Sequence, residues 1–246
     1  MKISPLQVRE VFHLEFLRDL VNTIPLSSFV LKGGSNLRFY FGSIRYSEDM
    51  DLDAEGIPVA RLRDEVMGVL KSKLIRNRLQ TFGIREIVPP DLKSAKQTET
   101  VQRFKVHLIT EAGEDLFTKV EFSRRGFGSP SAPEAVRASV LAQYCLPPLI
   151  VPHYLASAAV KQKIAALRSR RQPEARDIFD LYALSSQVPA KEGARWGGLG
   201  PRELKEARER IYEVGYERFR DTVVAYLSAA DQRAHDSPSV WDEIRL

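Results

Sequence analysis

The chain has 246 residues, 37 Lys and Arg against 32 Asp and Glu, a net charge of +5 and a pI of about 9.3. Its 43% hydrophobic and 28% charged residues suit a globular protein with one large domain or two intimately packed small ones. No apolar run reaches membrane-spanning length, "MKISPLQVREVFHLEF" lacks the unbroken apolar stretch of a signal peptide, and a lone cysteine, Cys145, excludes intramolecular disulfides and cysteine-rich zinc sites.

In chain order, apolar residues at helical spacing predict a helix over residues 5–22, with Pro5 suited to its first turn. "SSFVLKGG" reads as a strand stopping at a tight turn, and "SNLRFYFG" as a helix with Ser35 near its start and Gly42 closing it. "DMDLDA" alternates as a strand does. Val59, Leu62, Val66, Leu70, Leu74 and Ile75 predict one long amphipathic helix over 59–80, followed by a polar loop, "PPDLKSAKQTET". "VQRFKVHLIT", "AGED" and "LFTKVEFSRR" read as strand, turn and strand. After a looser "GFGSPSAP", helices are expected over 153–169, 174–186 (ending near Pro189), 201–214 and 216–229. The sum is an α+β sheet domain, residues 1–145, with a helical subdomain, residues 146–246. A cytoplasmic location without a membrane partner is the expectation, and Cys145 is expected to be a small buried hydrophobe.

Two features do not serve a core. A strand that turns through Gly33 and Gly34 into a helix leaves unpaired backbone N–H groups at the helix start. A phosphate can approach such a turn closely and is favoured there by the helix dipole, with the Ser35 hydroxyl as a further donor. The spacing is not that of a Walker A loop. Asp49, Asp51 and Asp53 share one face of the next strand, where three carboxylates without an interleaved base repel one another unless a cation neutralises them. Magnesium is the natural ion; a calcium loop starting at Asp51 would put Leu62 where a bidentate glutamate belongs. Glu121, between Val120 and Phe122, is an odd place for an idle carboxylate and is the candidate third ligand. The plain alternatives are a solvated acidic turn and an outward-facing glutamate.

The run from Leu31 to Asp53 resembles the nucleotidyltransferase signature, Gly-Ser, a spacer, then Asp-hydrophobic-Asp-hydrophobic: Gly34-Ser35, thirteen residues, then Asp49-Met50-Asp51-Leu52. With "KQKIAALRSRRQPEARDIFDLY", it is similar to the AbiEii/AbiGii-type toxins, the nucleotidyltransferase-like halves of bacterial toxin–antitoxin and abortive-infection pairs. Two departures are Gly33, where a hydrophobe is usual, and a slightly longer spacing in "RQPEARD". The resemblance implies a nucleotidyltransferase-like mixed sheet of the DNA polymerase β type with flanking helices, followed by helices. It implies nucleotide binding by Lys32, Gly33, Gly34, Ser35, Arg45, Ser47 and Lys163, and metal binding by Asp49, Asp51 and Glu121. Catalytic roles fall to these three carboxylates, to Lys163 and to Asp177, with Asp180 a close competitor; Asp53 or Glu121 is the candidate general base.

The expected reaction is Mg²⁺-dependent transfer of a nucleotide from a nucleoside triphosphate to RNA, with the tRNA 3′ end as the first candidate. A cognate antitoxin is the expected protein partner. The basic run from Lys161 to Arg176 and "ARERIYEVGYERFRD" are candidate RNA contacts. A small-molecule (antibiotic) nucleotidyltransferase and a non-catalytic nucleotide-binding regulator are the alternatives. His13, His107, His153 and His235 show no metal-ligand spacing and are expected to be structural; Trp196 and Trp241 read as loop anchors or partner contacts.

Overall fold

The computed structural model describes residues 3–92, 95–187 and 199–246. Two compact units are present, one of Met1–Asn36 with Ser47–His153, the other of Leu37–Tyr46 with Tyr154–Leu246.

The first unit opens with α1 (Pro5–Thr23). Its start is fixed by a reciprocal cap: Gln7 N donates to Ser4 Oγ and Ser4 N donates to the Gln7 side chain, with Pro5 at the first helical position. The chain continues through β1 (Phe29–Lys32), α2 (Gly33–Tyr40) and β2 (Met50–Ala54). Then come α3 (Val59–Lys71), α4 (Lys73–Gln80), β3 (Ile84–Val88), β4 (Val101–Thr110) and β5 (Asp115–Ser123). β6 (Ser131–Ala135), α5 (Ala138–Ala142) and β7 (Ile150–Tyr154) complete the order.

The strands form one mixed seven-stranded sheet in the order β3-β4-β5-β2-β1-β7-β6. β2 lies parallel to β5 and antiparallel to β1, and β4 lies antiparallel to β3 and β5. Alternation separates the two faces. On β4, Gln102, Phe104, Val106 and Leu108 are buried, while Arg103, Lys105 and His107 point the other way and reach solvent. α1 packs against α3, α4 and β5, and its buried Phe12, Phe16, Leu17 and Leu20 join the buried strand residues in the core. The opposite face carries charged residues and on β4 reaches solvent.

The second unit contains α6 (Ala156–Ser169), α7 (Ala175–Ser185), α8 (Pro201–Ile211), α9 (Tyr216–Thr222), α10 (Ala229–His235) and α11 (Pro238–Arg245). One core gathers Leu167, Ile178, Phe179, Phe219, Trp241 and Ile244; a second joins Leu37 from α2 to Val160, Ile164, Leu184 and Ala207. Trp241 is 1% exposed, stacks on Phe219 at 4.5 Å and donates to the Val214 carbonyl. It is therefore a core residue of this unit. Trp196 and Pro189 lie outside the described residues.

Several elements differ from expectation. The helix expected over 59–80 breaks at Ser72, which adopts an extended backbone and caps α4 by accepting from Leu74 N. β3, β6 and β7 were not expected, and the last two residues of β7, His153 and Tyr154, fall where the helix over 153–169 was expected to start. The helix expected over 216–229 stops at Thr222, and two further helices follow. Cys145 is exposed, not buried. It sits at φ 53° just past α5, where Leu146 N reaches back to the Leu141 carbonyl, so helix termination rather than core packing sets its position.

Candidate active site

β1 runs directly into α2, so Gly33 and Gly34 begin a helix whose first N–H groups lack intrahelical acceptors. Gly33 has φ +70°, and a Cβ placed on it would lie 3.1 Å from Asp51 Oδ2. Backbone conformation and close approach therefore both call for glycine. Ser35 Oγ and Ser47 Oγ donate to the same acceptor, the Asp49 carbonyl, at 3.3 and 2.8 Å. The two hydroxyls expected beside the phosphates thus also hold the backbone leading into β2. A second device secures that backbone from the buried side. Thr118 Oγ1 donates to the Glu48 carbonyl at 2.6 Å and lies 2.8 Å from His13 Nε2. With the hydroxyl proton committed to Glu48, His13 must be the donor to Thr118, which fixes its tautomer.

Strand register assembles the carboxylates. Asp51 stands opposite Lys32 on β1 and Glu121 on β5, while Asp49 lies one step before β2. Two basic residues that the sequence reading passed over join them. Lys119, two positions before Glu121 and hence on the same face, brings Nζ to 3.1 Å from Asp49 and 3.8 Å from Glu121. Arg103, opposite Glu121 on β4, donates to it at 2.6 Å. Spacing puts Lys119 on the same strand face as Glu121, but that it meets Asp49, like the pairing of Arg103, depends on a strand register that spacing does not give. Asp53 is held by Lys32 at 2.5 Å and Glu121 by Arg103 at 2.6 Å, so each of the two candidate bases is engaged in an ion pair. Burial pushes the Asp51 carboxyl above the usual carboxylate range; Lys119 and Lys32 pull it down, and Glu121 and Asp49 raise it further.

Among the described residues, no three acidic, imidazole or thiol side chains converge as a ready cation cage; Lys119 stands where such convergence would occur. The donor set itself, three carboxylates on and beside neighbouring strands, suits a hard divalent ion. Asp51, driven toward protonation by its burial, is a group whose ionised form added positive charge would favour.

In the second unit, Arg45, Lys163, Asp177 and Asp180 form a buried ion-pair cluster. The Arg45 guanidinium donates to both Asp180 oxygens at 3.1 Å, and Lys163 Nζ lies 2.5 Å from Asp180 and 3.0 Å from Asp177. Burial opposes ionisation of Asp180, but Arg45 and Lys163 more than offset it and hold the carboxyl below its usual range. Asp177, in the first turn of α7, differs: its Oδ2 is buried with no hydrogen bond, although Arg170 Nε lies 3.3 Å away. Both aspartates thus meet Lys163, and Asp177 keeps an unsatisfied acceptor. Much of the basic run beside them is already paired. Arg168 binds Glu203 and Glu206, Arg170 and Arg176 bind Glu174, and Arg210 donates to the carbonyls of Leu167 and Arg170.

A mixed sheet with a Gly-Gly-Ser strand-to-helix turn packed against an Asp-x-Asp strand is the architecture of a nucleotidyltransferase. Solved structures agree at the level of fold. MenT4, a nucleotidyltransferase toxin from Mycobacterium tuberculosis H37Rv, matches with TM-score 0.59 at 20% identity, covering 98% of this chain and 81% of its own. JHP933 from Helicobacter pylori matches with TM-score 0.52 at 18% identity, covering 100% of this chain and 94% of its own. No curated protein matches significantly. The family model described as nucleotidyl transferase AbiEii toxin, type IV toxin–antitoxin system, matches residues 15–238. The chain belongs to the AbiEii nucleotidyltransferase toxin family.

Proposed function

We propose that this toxin transfers a nucleotide from a nucleoside triphosphate to an RNA acceptor, the 3′ end of tRNA first among them, with magnesium held by Asp49, Asp51 and Glu121. The observation that carries the reading is the register that sets Asp51 beside Glu121 while its carboxylate lies 3.1 Å from where a side-chain carbon on Gly33, at the start of α2, would stand. An amide-lined pocket for phosphate and a set of carboxylates for a cation thereby share one wall. Bound magnesium would neutralise charge on the triphosphate and lower the pKa of the attacking hydroxyl.

The chain's own residues orient the reactants. The free N–H groups at Gly33, Gly34 and Ser35 receive phosphate oxygens, and Lys32 adds positive charge at the same strand end. Lys119 now neutralises Asp49 and Glu121; a divalent ion held by these carboxylates would compete with its ammonium for the same oxygens. In the second unit, Lys163 contributes to nucleotide binding. Asp177 is favoured over Asp180 as the functional partner because its Oδ2, though 3.3 Å from Arg170, accepts no hydrogen bond, whereas Arg45 donates to both Asp180 oxygens. Positioning and charge neutralisation supply most of the acceleration, as in phosphoryl transfer generally.

The test incubates the purified protein with total tRNA, Mg²⁺ and each labelled nucleoside triphosphate in turn. Label should enter RNA with one or more donors and be lost in Asp49→Ala. An absence of label from RNA with every donor would overturn the RNA reading.

A further inference from the structure

The β4–β5 part of the sheet carries a solvent-facing surface that neither the carboxylates nor the turn explains. Along β4, Arg103, Lys105 and His107 occupy alternate positions and so share that face. Across the strand boundary they stand opposite Glu121, Lys119 and Phe117. Phe117, on the part of β5 that pairs with β4 but extends past β2, is 56% exposed, and it lies against the His107 ring with centroids 4.1 Å apart. The aromatic pair sits where the β4–β5 ladder runs on past β2, and it is left uncovered there although burying it would be favourable.

Beside it lies a cavity of about 490 Å³ with Arg103, Lys105 and His107 along one side and Pro89, Pro90 and Lys96 along the others. One acid, Asp91, also lines it. The volume is within the range of roughly 300–1,000 Å³ that small-ligand sites occupy. Among the described residues Lys105 has no ion-pair partner, unlike the arginines of α6 and α7. Arg103, at the cavity wall, is also the residue bound to Glu121. The cationic and aromatic surface therefore runs without a break into the carboxylates.

We infer that this face is the docking surface for the terminal single-stranded nucleotides of the RNA acceptor. Bases stack on Phe117 and His107, and phosphates follow Lys96, Lys105 and Arg103 toward Glu121. Aromatic rings interleaved with cations are the chemistry that binds single strands without reading sequence. From His107 to Arg103 the strand spans about 13 Å, room for roughly two nucleotides of an extended strand. The inference rests on RNA being the acceptor, and it locates RNA on the sheet rather than on the basic helical run, where the arginines are largely neutralised.

The test measures fluorescence anisotropy of a labelled single-stranded oligoribonucleotide, about ten nucleotides long, without any nucleoside triphosphate. Phe117→Ala should weaken binding by about five- to a hundredfold, with Phe117→Trp restoring it. Lys105→Ala should reduce the dependence of affinity on salt by about one counterion. Because both side chains are exposed, melting temperatures should match the wild type. In parallel transfer assays the same variants should raise KM for RNA and leave KM for the triphosphate unchanged. Wild-type affinity and salt dependence in both variants would overturn the surface, as would variants that bind RNA normally but lose a protein partner. The binding assay needs no catalysis, so its outcome is separable from that of the transfer reaction. Transfer with unaltered RNA affinity sinks the surface alone, and RNA binding that depends on Phe117 without transfer sinks the reaction alone.

Discussion

Gly33 shows how much one missing side chain does. Its φ of +70° and the 3.1 Å from a notional Cβ to Asp51 Oδ2 are independent demands, one on the backbone and one on the neighbouring strand. Gly33→Ala should cost about 1–2 kcal/mol of stability from the left-handed conformation alone. It should lower transfer far more than that loss accounts for, because the methyl group displaces Asp51. Urea unfolding and kcat measured on the same preparation test this; a loss of stability with unchanged kcat would show that Asp51 does not need its present position. Gly33, Gly34 and the aspartates were legible in the sequence because a turn and an alternating strand are local patterns. Lys119 and Arg103 were not, since their importance arises only when β5 is placed between β2 and β4. Sequence spacing identifies the acids but not the bases that sit among them.

At the scale of elements, α6 and α7 are tied by Lys163, which bonds to both Asp177 and Asp180. Asp180 is fully buried with Arg45 as its other partner, so Asp180→Asn strands buried positive charge and should destabilise by about 3–5 kcal/mol. Asp177→Asn should cost distinctly less, because one of its oxygens already lacks a hydrogen bond, and should abolish transfer. Equal losses of stability in the two variants, read from urea midpoints, would remove the distinction drawn between them. The strands that the sequence concealed are instructive in the same terms. β3 and β6 are the two edges of the sheet, where half the side chains meet water and proline is tolerated, so "IREIV" and "SAPEA" lack the continuous apolar signal of a central strand. β7 contains Pro152 and ends one residue before α6, which blurred its last two residues into that helix. In residues 59–80 the apolar period ran on through Leu74, but Leu74 is 61% exposed; the Ser72 cap, not periodicity, decided the break.

For the molecule as a whole, acid is the informative stress. Burial, and to a lesser degree Arg9, lowers the His13 pKa from 6.5 to about 3. Between those values the unfolded chain takes up a proton that the folded chain refuses, so stability falls as pH drops through that window, by about 1.4 kcal/mol per unit. From pH 7 to pH 5 the loss assigned to His13 is about 2 kcal/mol, and His13→Gln should reduce the acid sensitivity measured by urea unfolding at the two pH values. An identical loss in wild type and variant would mean that other groups carry it. The same histidine, through Thr118, steadies the Glu48 carbonyl, so weakening it loosens the backbone that presents Asp49. No helix among the described residues is long and apolar enough to cross a membrane. One more consequence lies in the path of the chain, which departs from the first unit after Asn36 and comes back at Ser47. The excursion carries Arg45 to Asp180 and Tyr46 to the Tyr226 carbonyl. A gene fragment stopping at His153 would thus encode an orphaned guanidinium and a tyrosine amide robbed of its acceptor, and a fragment starting at Tyr154 would encode a helical bundle without its inner thread. No single scission yields both halves intact.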